Sequence, residues 1–470
     1  MKLADAHVLV LGLGESGLAM ARWCARMGAR VRVADTRAVP PYLDALRGFV
    51  PEAEFIAGEF KESLLHGIDM LALSPGLPAG QMIVLQARLS AIAVVGEIEL
   101  FADALRVVHS VADMPRIIAI TGTNGKTTTT ALTGHLCRSA GYDTEIAGNI
   151  SPAALAALLE RIERDALPRI WVLELSSFQL ETLKSLNADA ATVLNVSDDH
   201  LDRYISLDEY AEAKARIFGS GEDCVQHSGT QVLNRDDVRV RRMAVNGREL
   251  FTFGLDIPAH EHDFGLLYKN GEHWLAQGDH ALLAVSRLPI KGLHNAANAL
   301  AALALCSALR LPMNKLVNGL LSFKGLPHRV EFVAEVDGVT YYDDSKGTNV
   351  GATLAALDGK LAERVVLIAG GDGKGQDFSP LRDAVQRAAR AVVLLGRDAD
   401  QIDAAIQGTG VPIQRANDLP SAVHMAASLA EPGDAVLLSP ACASFDMFRN
   451  YAHRAEVFVA AVHALPGVKS

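Results

Sequence analysis

Residues 117–128 read Ile-Ile-Ala-Ile-Thr-Gly-Thr-Asn-Gly-Lys-Thr-Thr: an apolar run breaks into a glycine-bearing loop and then a Lys-Thr-Thr helix start. A loop of small residues can wrap its backbone N–H groups around an oxyanion, and the unpaired N–H groups of a new helix point the same way. In this cradle of Asn124, Gly125, Lys126, Thr127 and Thr128, Lys126 brings a mobile positive charge for β and γ phosphates, and the Thr127 hydroxyl can hold Mg²⁺. Against G-x-x-x-x-G-K-[ST], Gly125, Lys126 and Thr127 fit, while Ile120 occupies the first glycine position. The other reading is a tight strand-to-helix turn with a surface lysine. The strand before it and the amphipathic Ala131, Leu132, Leu136 pattern after it favour nucleotide binding.

The chain has 470 residues, half of them apolar, which suggests about three domains, each able to bury a core. A net charge of -11, without blocks of like charge, offers no basic field for nucleic acid. Five cysteines (Cys24, Cys137, Cys224, Cys306 and Cys442) are scattered without a C-x-x-C pair, so reduced thiols in a cytoplasmic setting are expected rather than disulfides or zinc. No signal-peptide pattern and no long unbroken apolar run is present, so membrane insertion is not expected.

The pattern of runs and turns predicts an α/β fold in three domains: a Rossmann-like N-terminal domain over 1–106, a central P-loop ATPase-type parallel-sheet domain over 107–325, and a doubly wound Rossmann-like domain over 326–470. The boundaries fall in the irregular stretch from Arg106 to Pro115 and at Leu326-Pro327-His328-Arg329. In the first domain His7–Leu11 leads into Gly12-Leu13-Gly14-Glu15-Ser16-Gly17, a G-x-G-x-x-G in its strand–turn–helix setting, and a second strand ends in Asp35, about 20 residues on. Taken alone this says NAD. Yet such a loop recognises pyrophosphate through backbone N–H groups without seeing the rest of the ligand, so another diphosphate fits equally. Thr36 and Arg37 follow the acid, the latter either a ligand guanidinium or a solvated charge. The strand Ile68–Leu73 ends in Ser74-Pro75-Gly76, at the edge where open sheets collect ligands.

In the central domain Ile170–Leu173 ends in Glu174, placed to serve Mg²⁺ beside a phosphate or else a surface or capping acid. The strand Ala191–Leu194 leads to Asp198-Asp199-His200-Leu201-Asp202, where three acids around one His suggest a metal, against a hydrogen-bonded structural histidine. Ser206 and Glu209 read as a capping box opening a helix to Phe218, in which Lys214 is expected to be solvated. Short strands between Leu250 and Leu275 are expected on the flank of the nucleotide sheet, and the helix His294–Leu309 carries Asn295 and Asn298 near its start. In the third domain, strands at Val339–Tyr342, Arg364–Ala369, Ala391–Leu395 and Ala435–Leu438 end in small and charged residues, and Ser379-Pro380 caps a helix. The loop Gly370–Gly375 suits a phosphate nest, yet Lys374 and Ser444 equally suit a carboxylate.

Together these sites suggest an enzyme that joins two substrates at the expense of ATP. A carboxylate is a poor electrophile; phosphoryl transfer converts it to an acyl phosphate that an amine can attack. Positive charge then neutralises the γ phosphate and the tetrahedral oxyanion.

The segments Thr121–Thr128, Glu174–Leu180, Asn195–Tyr204, His294–Leu300, Leu326–Arg329 and Asp344–Asn349 together resemble the Mur ligases of peptidoglycan synthesis, over the whole chain. Asp35–Arg37, Gly370–Lys374 and Ser439–Asp446 are similar to the members that add D-glutamate to UDP-N-acetylmuramoyl-L-alanine. The resemblance implies that the first domain binds UDP and not NAD, through Gly14, Ser16, Asp35, Thr36, Arg37 and Gly76. It implies that Asn149 and His200 place the muramoyl chain, that Thr127, Glu174 and His200 serve Mg²⁺, and that Asn298, Arg329 and Asp344 reach the adenosine of ATP. Lys346, Thr348, Lys374, Ser444 and Phe445 would frame D-glutamate. Lys126, His200 and Lys214 would be catalytic, Lys214 corresponding to a carbamylated lysine that ligates the second of two Mg²⁺ ions. Partners would be small molecules only, and the chain a cytoplasmic monomer. Tyr451 stands where Phe is common, and 107–114 is longer than expected.

Other readings are another Mur ligase or a folylpolyglutamate-synthase-like enzyme with a different amino acid. An NAD oxidoreductase built on Gly12–Asp35 would leave two domains unexplained, and a non-catalytic nucleotide-binding protein would leave Lys126 and Glu174 surplus.

Overall fold

A computed structural model describes residues 2–199, 203–219, 229–359 and 361–467. In the first domain β1 (His7–Leu11), β2 (Arg30–Asp35), β3 (Glu54–Ala57), β4 (Met70–Leu73) and β5 (Ala93–Gly96) form a parallel sheet in the order β3-β2-β1-β4-β5. Val8 and Val10 face one apolar cluster and Leu9 and Leu11 another, which is why β1 reads as an unbroken apolar run. Strand order reverses between β1 and β4, so a crevice opens where Gly12 and Ser74 follow them.

The central sheet has nine strands: β6 (Arg116–Thr121), β7 (Thr144–Gly148), β8 (Ile170–Glu174), β9 (Ala190–Val193), β10 (Thr230–Asn234), β11 (Leu250–Phe253), β12 (Asp263–Lys269), β13 (Glu272–Gln277) and β14 (His280–Ala284). Their order is β14-β13-β12-β11-β10-β9-β6-β8-β7, parallel except for the meander β12-β13-β14. The strands expected on the sheet's flank therefore continue the sheet itself, because β10 would otherwise expose an unpaired edge. Ile118 and Ile120 pack under the alanine-rich helix Leu293–Ala308, whose small side chains let it lie close to the helix Lys126–Ser139.

The stretch expected to be irregular from Arg106 is instead the last turn of the helix Glu97–Val108, followed by a 3₁₀ turn at Val111–Asp113. Its apolar face, with Phe101 edge-on to Trp171 at 5.0 Å, joins the cores of the first two domains. Its polar atoms take central-domain N–H groups: Glu97 accepts from Leu155 N at 2.6 Å and Glu99 from Lys184 N at 2.7 Å.

In the third domain β15 (Glu331–Val336) and β16 (Val339–Asp343) form a hairpin on a parallel sheet of β17 (Val365–Ala369), β18 (Ala389–Leu394), β19 (Ile413–Arg415) and β20 (Ala435–Leu438), in the order β15-β16-β20-β17-β18-β19. The expected cap at Ser379-Pro380 is absent: the helix Leu381–Ala388 has no side-chain cap, and Ser379 Oγ donates to Asp377. Ser206 caps the helix Leu207–Ala215, but the Glu209 carboxylate turns to Ile205 N, so the reciprocal half of a capping box is missing. The four described cysteines are buried free thiols, and no described helix is long and apolar enough to cross a membrane.

Candidate functional site

At the carboxyl end of β6 the chain reverses through Gly122 and Gly125, at φ 153° and 80°, conformations that glycine adopts without strain. A Cβ on Gly125 would stand 2.5 Å from Asn298 Oδ1, so the loop also needs glycine for this close approach. Asn195, at the end of β9, locks the loop from the side: its Oδ1 accepts from Asn124 N at 2.8 Å and its Nδ2 donates to Asn124 O at 3.1 Å. Thr127 and Thr128 open the following helix. Lys126 Nζ folds back to donate to Gly122 O at 2.7 Å and Thr123 O at 2.8 Å. Burial pushes the Lys126 ammonium below its ordinary pKa, Glu174 and Asp199 pull it back, and Arg329 and Lys346 push it further down. These cations and acids converge from two domains on one seam.

Lys214, expected to be solvated, is 1% exposed and donates to Gly122 O at 2.9 Å. It turns inward because the Tyr210 ring, 4.3 Å from its Nζ, and the back of the phosphate loop close over it. Burial, and then the charge of Lys126, holds its pKa well below the lysine range, favouring the neutral amine. Glu174, at the end of β8, accepts from Asn149 Nδ2 through Oε1 at 2.7 Å, while its Oε2 is buried with no hydrogen-bond partner among the described residues. A buried carboxylate oxygen with no donor beside a threonine-bearing phosphate loop suits a hard cation, so this donor set fits Mg²⁺. His200 lies outside the described residues.

A cavity of about 180 Å³ opens between Asn124, Gly125, Asn298, Arg329, Asp344 and Ala355. The Arg329 Nε is buried with no hydrogen-bond partner among the described residues, and burial lowers the guanidinium pKa against the pull of Asp344 and Glu174. Asp344 accepts from Ser439 Oγ at 2.6 Å, and burial raises its carboxyl to about 7. Asn349 Nδ2 donates to Asn124 Oδ1 at 2.9 Å, and Lys374 Nζ meets Asp199 Oδ1 at 2.9 Å, so the third domain is closed onto the phosphate loop. Lys346 Nζ stands 5.0 Å from the Tyr451 ring centroid, with Thr348 two residues on in the same loop. Ser444 is buried, whereas Phe445 is 74% exposed and stays outside this cluster.

In the first domain Asp35 is turned inward. It accepts from Leu13 N at 2.8 Å, Arg37 N at 2.9 Å, Arg37 Nε at 2.8 Å and Arg37 Nη2 at 2.7 Å, and the Arg37 hydrogen bond above all holds its carboxyl at about 2. So engaged, Asp35 shapes the glycine loop and pins Arg37, which disfavours the free ribose acceptor of an NAD site. Gly14 and Ser16 are half-buried at the loop, and Thr36, Arg37 and Gly76 are exposed along the same edge. Arg203 joins this crevice to the central domain: it donates to Pro75 O at 3.3 Å and Leu77 O at 3.1 Å, with its guanidinium 3.7 Å from the Phe178 ring centroid. The structure thus gathers Lys126, Glu174, Lys214, Asn298, Arg329, Asp344 and Lys346 at one seam and leaves Gly14, Ser16 and Asp35–Arg37 at a separate edge. Reading by residue type missed Asn195, Arg203 and Ser439 as organisers, although Asn195 and Ser439 stand just past strand ends, and it placed Asp199 in an acidic cluster without its partner Lys374.

Three family models match the chain in order: the Mur ligase MurD-like N-terminal domain over 6–96, the Mur ligase middle domain over 120–306, and the Mur ligase glutamate ligase domain over 328–442. UDP-N-acetylmuramoylalanine–D-glutamate ligase of Aromatoleum aromaticum is 59% identical over 100% of this chain and 99% of its own. The protein of that name from Nitrosospira multiformis is 55% identical over 100% of this chain and 98% of its own. Among solved structures, UDP-N-acetylmuramate-alanine ligase of Thermotoga maritima shares the fold at TM-score 0.61 and 18% identity, covering 97% of this chain and 99% of its own.

Proposed function

The chain belongs to the Mur ligase family, and from that premise we propose that it joins D-glutamate to UDP-N-acetylmuramoyl-L-alanine with cleavage of ATP, in peptidoglycan precursor synthesis. The observation that carries this reading is the seam where the phosphate loop, with Lys126 folded onto it, faces Arg329, Asp344 and Lys346 of a second domain. Relatives 53–59% identical over nearly the whole chain bear the name of that ligase and support D-glutamate as the amino acid.

The substrate carboxylate attacks the γ phosphorus, the bond to ADP breaks, and an acyl phosphate forms. The D-glutamate amine attacks its carbonyl, phosphate leaves, and the amine loses a proton. Lys126 exchanges the Gly122 and Thr123 carbonyls for the γ phosphate, while Asn124, Gly125, Thr127 and Thr128 present the loop N–H groups and first helical turn to the chain of phosphates. Asn298, Arg329 and Asp344 hold the adenosine; the unpaired Arg329 Nε supports that role. Gly14, Ser16, Asp35, Thr36, Arg37 and Gly76 hold the uridine diphosphate, with Asn149 and His200 on the muramoyl chain. Lys346, Thr348, Lys374, Ser444 and Phe445 frame D-glutamate, the Phe445 ring moving in from solvent.

Mg²⁺, when bound, neutralises the transferring phosphoryl group; Thr127, Glu174 and His200 would hold one ion and a carbamylated Lys214 a second. The buried, neutral-favoured Lys214 supports the modification: its lone pair attacks carbon dioxide, an N–C bond forms, and the nitrogen loses a proton to solvent. In this reading the domains divide near 106/107, at the last turn of the helix Glu97–Val108, and at 325/326, and the acting unit is a single cytoplasmic chain.

The test is phosphate release from Mg-ATP and UDP-N-acetylmuramoyl-L-alanine against D-glutamate, L-glutamate, L-alanine and meso-diaminopimelate. Stimulation by D-glutamate alone, with the amide product found by mass, is the expected result. Stimulation by another amino acid would reassign the third-domain pocket, and NAD binding without phosphate release would overturn the reading.

A further inference from the structure

The proposed amino-acid pocket is built from loops that do not follow one another in sequence. Lys346 and Thr348 follow β16, and Ser444 and Phe445 follow β20. The Lys374 loop after β17 is bonded to the latter, Asp372 N donating to Ala443 O at 3.0 Å and Ala443 N to Asp372 O at 2.8 Å. Neighbouring strands fix where these loops start but not how far apart their tips stand.

Ser439 Oγ ties the bases of the two loops to each other through Asp344 at 2.6 Å, and one side chain reaches both of them further out. Arg454, on the helix Tyr451–His463, is 2% exposed. Its Nη2 donates to Ser345 O at 2.8 Å and to Cys442 O at 3.1 Å, and its Nη1 donates to Cys442 O at 3.2 Å. Its Nε is buried with no hydrogen-bond partner among the described residues. A buried cation with an unmet donor is an expensive way to stabilise a fold, since an apolar side chain of similar volume does as well or better. Three residues earlier on the same helical face, Tyr451 lays its ring against Lys346 Nζ.

We propose that Arg454 is the positioning residue of the amino-acid pocket, holding the carbonyls of Ser345 and Cys442 in one guanidinium fork and so setting the distance between Lys346–Thr348 and Ser444–Phe445. A planar fork bridges two carbonyls in fixed geometry, which a lysine point charge does not. Burial lowers the Arg454 pKa to about 10, and the charges around it, Asp343, Asp344 and Asp446, keep it cationic at neutral pH. The inference rests on the reading that this pocket takes D-glutamate.

The experiment compares full-length wild type with Arg454→Lys, Arg454→Gln and Arg454→Met, each substrate varied in turn and thermal unfolding measured in parallel. The expected result is a KM for D-glutamate raised about tenfold or more, the effect of losing a charge-assisted hydrogen bond. KM for ATP and for the UDP substrate stays within about twofold, as does kcat at saturating D-glutamate, because Asp344 keeps its own bond to Ser439 Oγ and no bond of the fork reaches the first domain. Arg454→Met is expected to fold, since it removes a desolvated charge without leaving a hole. A merely structural role would lower the unfolding midpoint and the active fraction, cutting kcat with every KM unchanged. That pattern, or an unchanged KM for D-glutamate, overturns the proposal. A wild type that does not use D-glutamate overturns the functional reading instead, whatever the variants do.

Discussion

Glu97 couples the first two domains through a carboxyl whose pKa burial raises toward neutrality, and Glu97→Gln exposes this. Its Oε1 accepts from Leu155 N, at the start of the helix Ala154–Glu163, and its Oε2 is buried with no partner among the described residues. Burial raises the carboxyl from an ordinary 4.5 to about 7; the N–H groups of Leu155 and Ala154 oppose that rise, and the Glu15 carboxylate adds to it. The folded state therefore binds a proton that the unfolded chain releases above 4.5. The stability this contributes is fully present below pH 4.5 and is lost as pH rises to about 7. At roughly 1.4 kcal/mol per unit the loss amounts to about 3 kcal/mol. Glutamine keeps the acceptor for Leu155 N and cannot ionise. The unpaired amide N–H groups it introduces cost stability equally at every pH, and Asp344, which titrates in the same range, is present in both proteins. Urea unfolding of wild type and variant at pH 5 and pH 8, followed by tryptophan fluorescence because Trp171 packs on the same helix, isolates the difference. The variant should gain roughly 2–3 kcal/mol on wild type between the two pH values. A difference independent of pH would mean that Glu97 is ionised in the fold, and the argument from burial would fail.

Lys126→Ala should abolish phosphate release, because its ammonium is the one folded onto both Gly122 O and Thr123 O where the γ phosphate is proposed to lie; turnover within about tenfold of wild type would remove its assigned role. Incubation with ¹³C-labelled bicarbonate should give a carbamate carbon signal in the wild type that Lys214→Arg lacks, since a guanidinium has no free amine to modify; equal signals would place the modification elsewhere. Tyr451→Phe should leave the KM for D-glutamate within about twofold, because the ring and not the hydroxyl faces Lys346, whereas Tyr451→Ala should raise it several-fold. A large effect of Tyr451→Phe would show that the hydroxyl is used.

What sequence patterns reveal here, and what they hide, follows from the kind of partner each residue has. The phosphate loop is visible because its requirements are local: an apolar strand, glycines where the backbone turns, and Lys-Thr at a helix start. Asp35 was half visible. Its place at a strand end is local, but its commitment to Leu13 N and Arg37 is decided by rotamers, which no spacing encodes. Lys126, Arg203, Lys214 and Arg454 share a different property: each donates to main-chain carbonyls, at Gly122 and Thr123, at Pro75 and Leu77, at Gly122, and at Ser345 and Cys442. A carbonyl carries no residue identity, so the receiving end of each contact leaves no mark in the sequence, and a donor outside a recognisable motif, unlike Lys126, reads as a surface cation. That is why Lys214 on its polar-looking helix was expected in solvent. The same property has a consequence for substrate choice. A fork on Ser345 O and Cys442 O keeps its grip whatever side chains those loops carry, so the residues lining the pocket can change while the frame that spaces them stays. Substitutions at Thr348 or Phe445 should therefore alter which amino acid is accepted, whereas substitution at Arg454 should loosen the pocket for every amino acid it accepts.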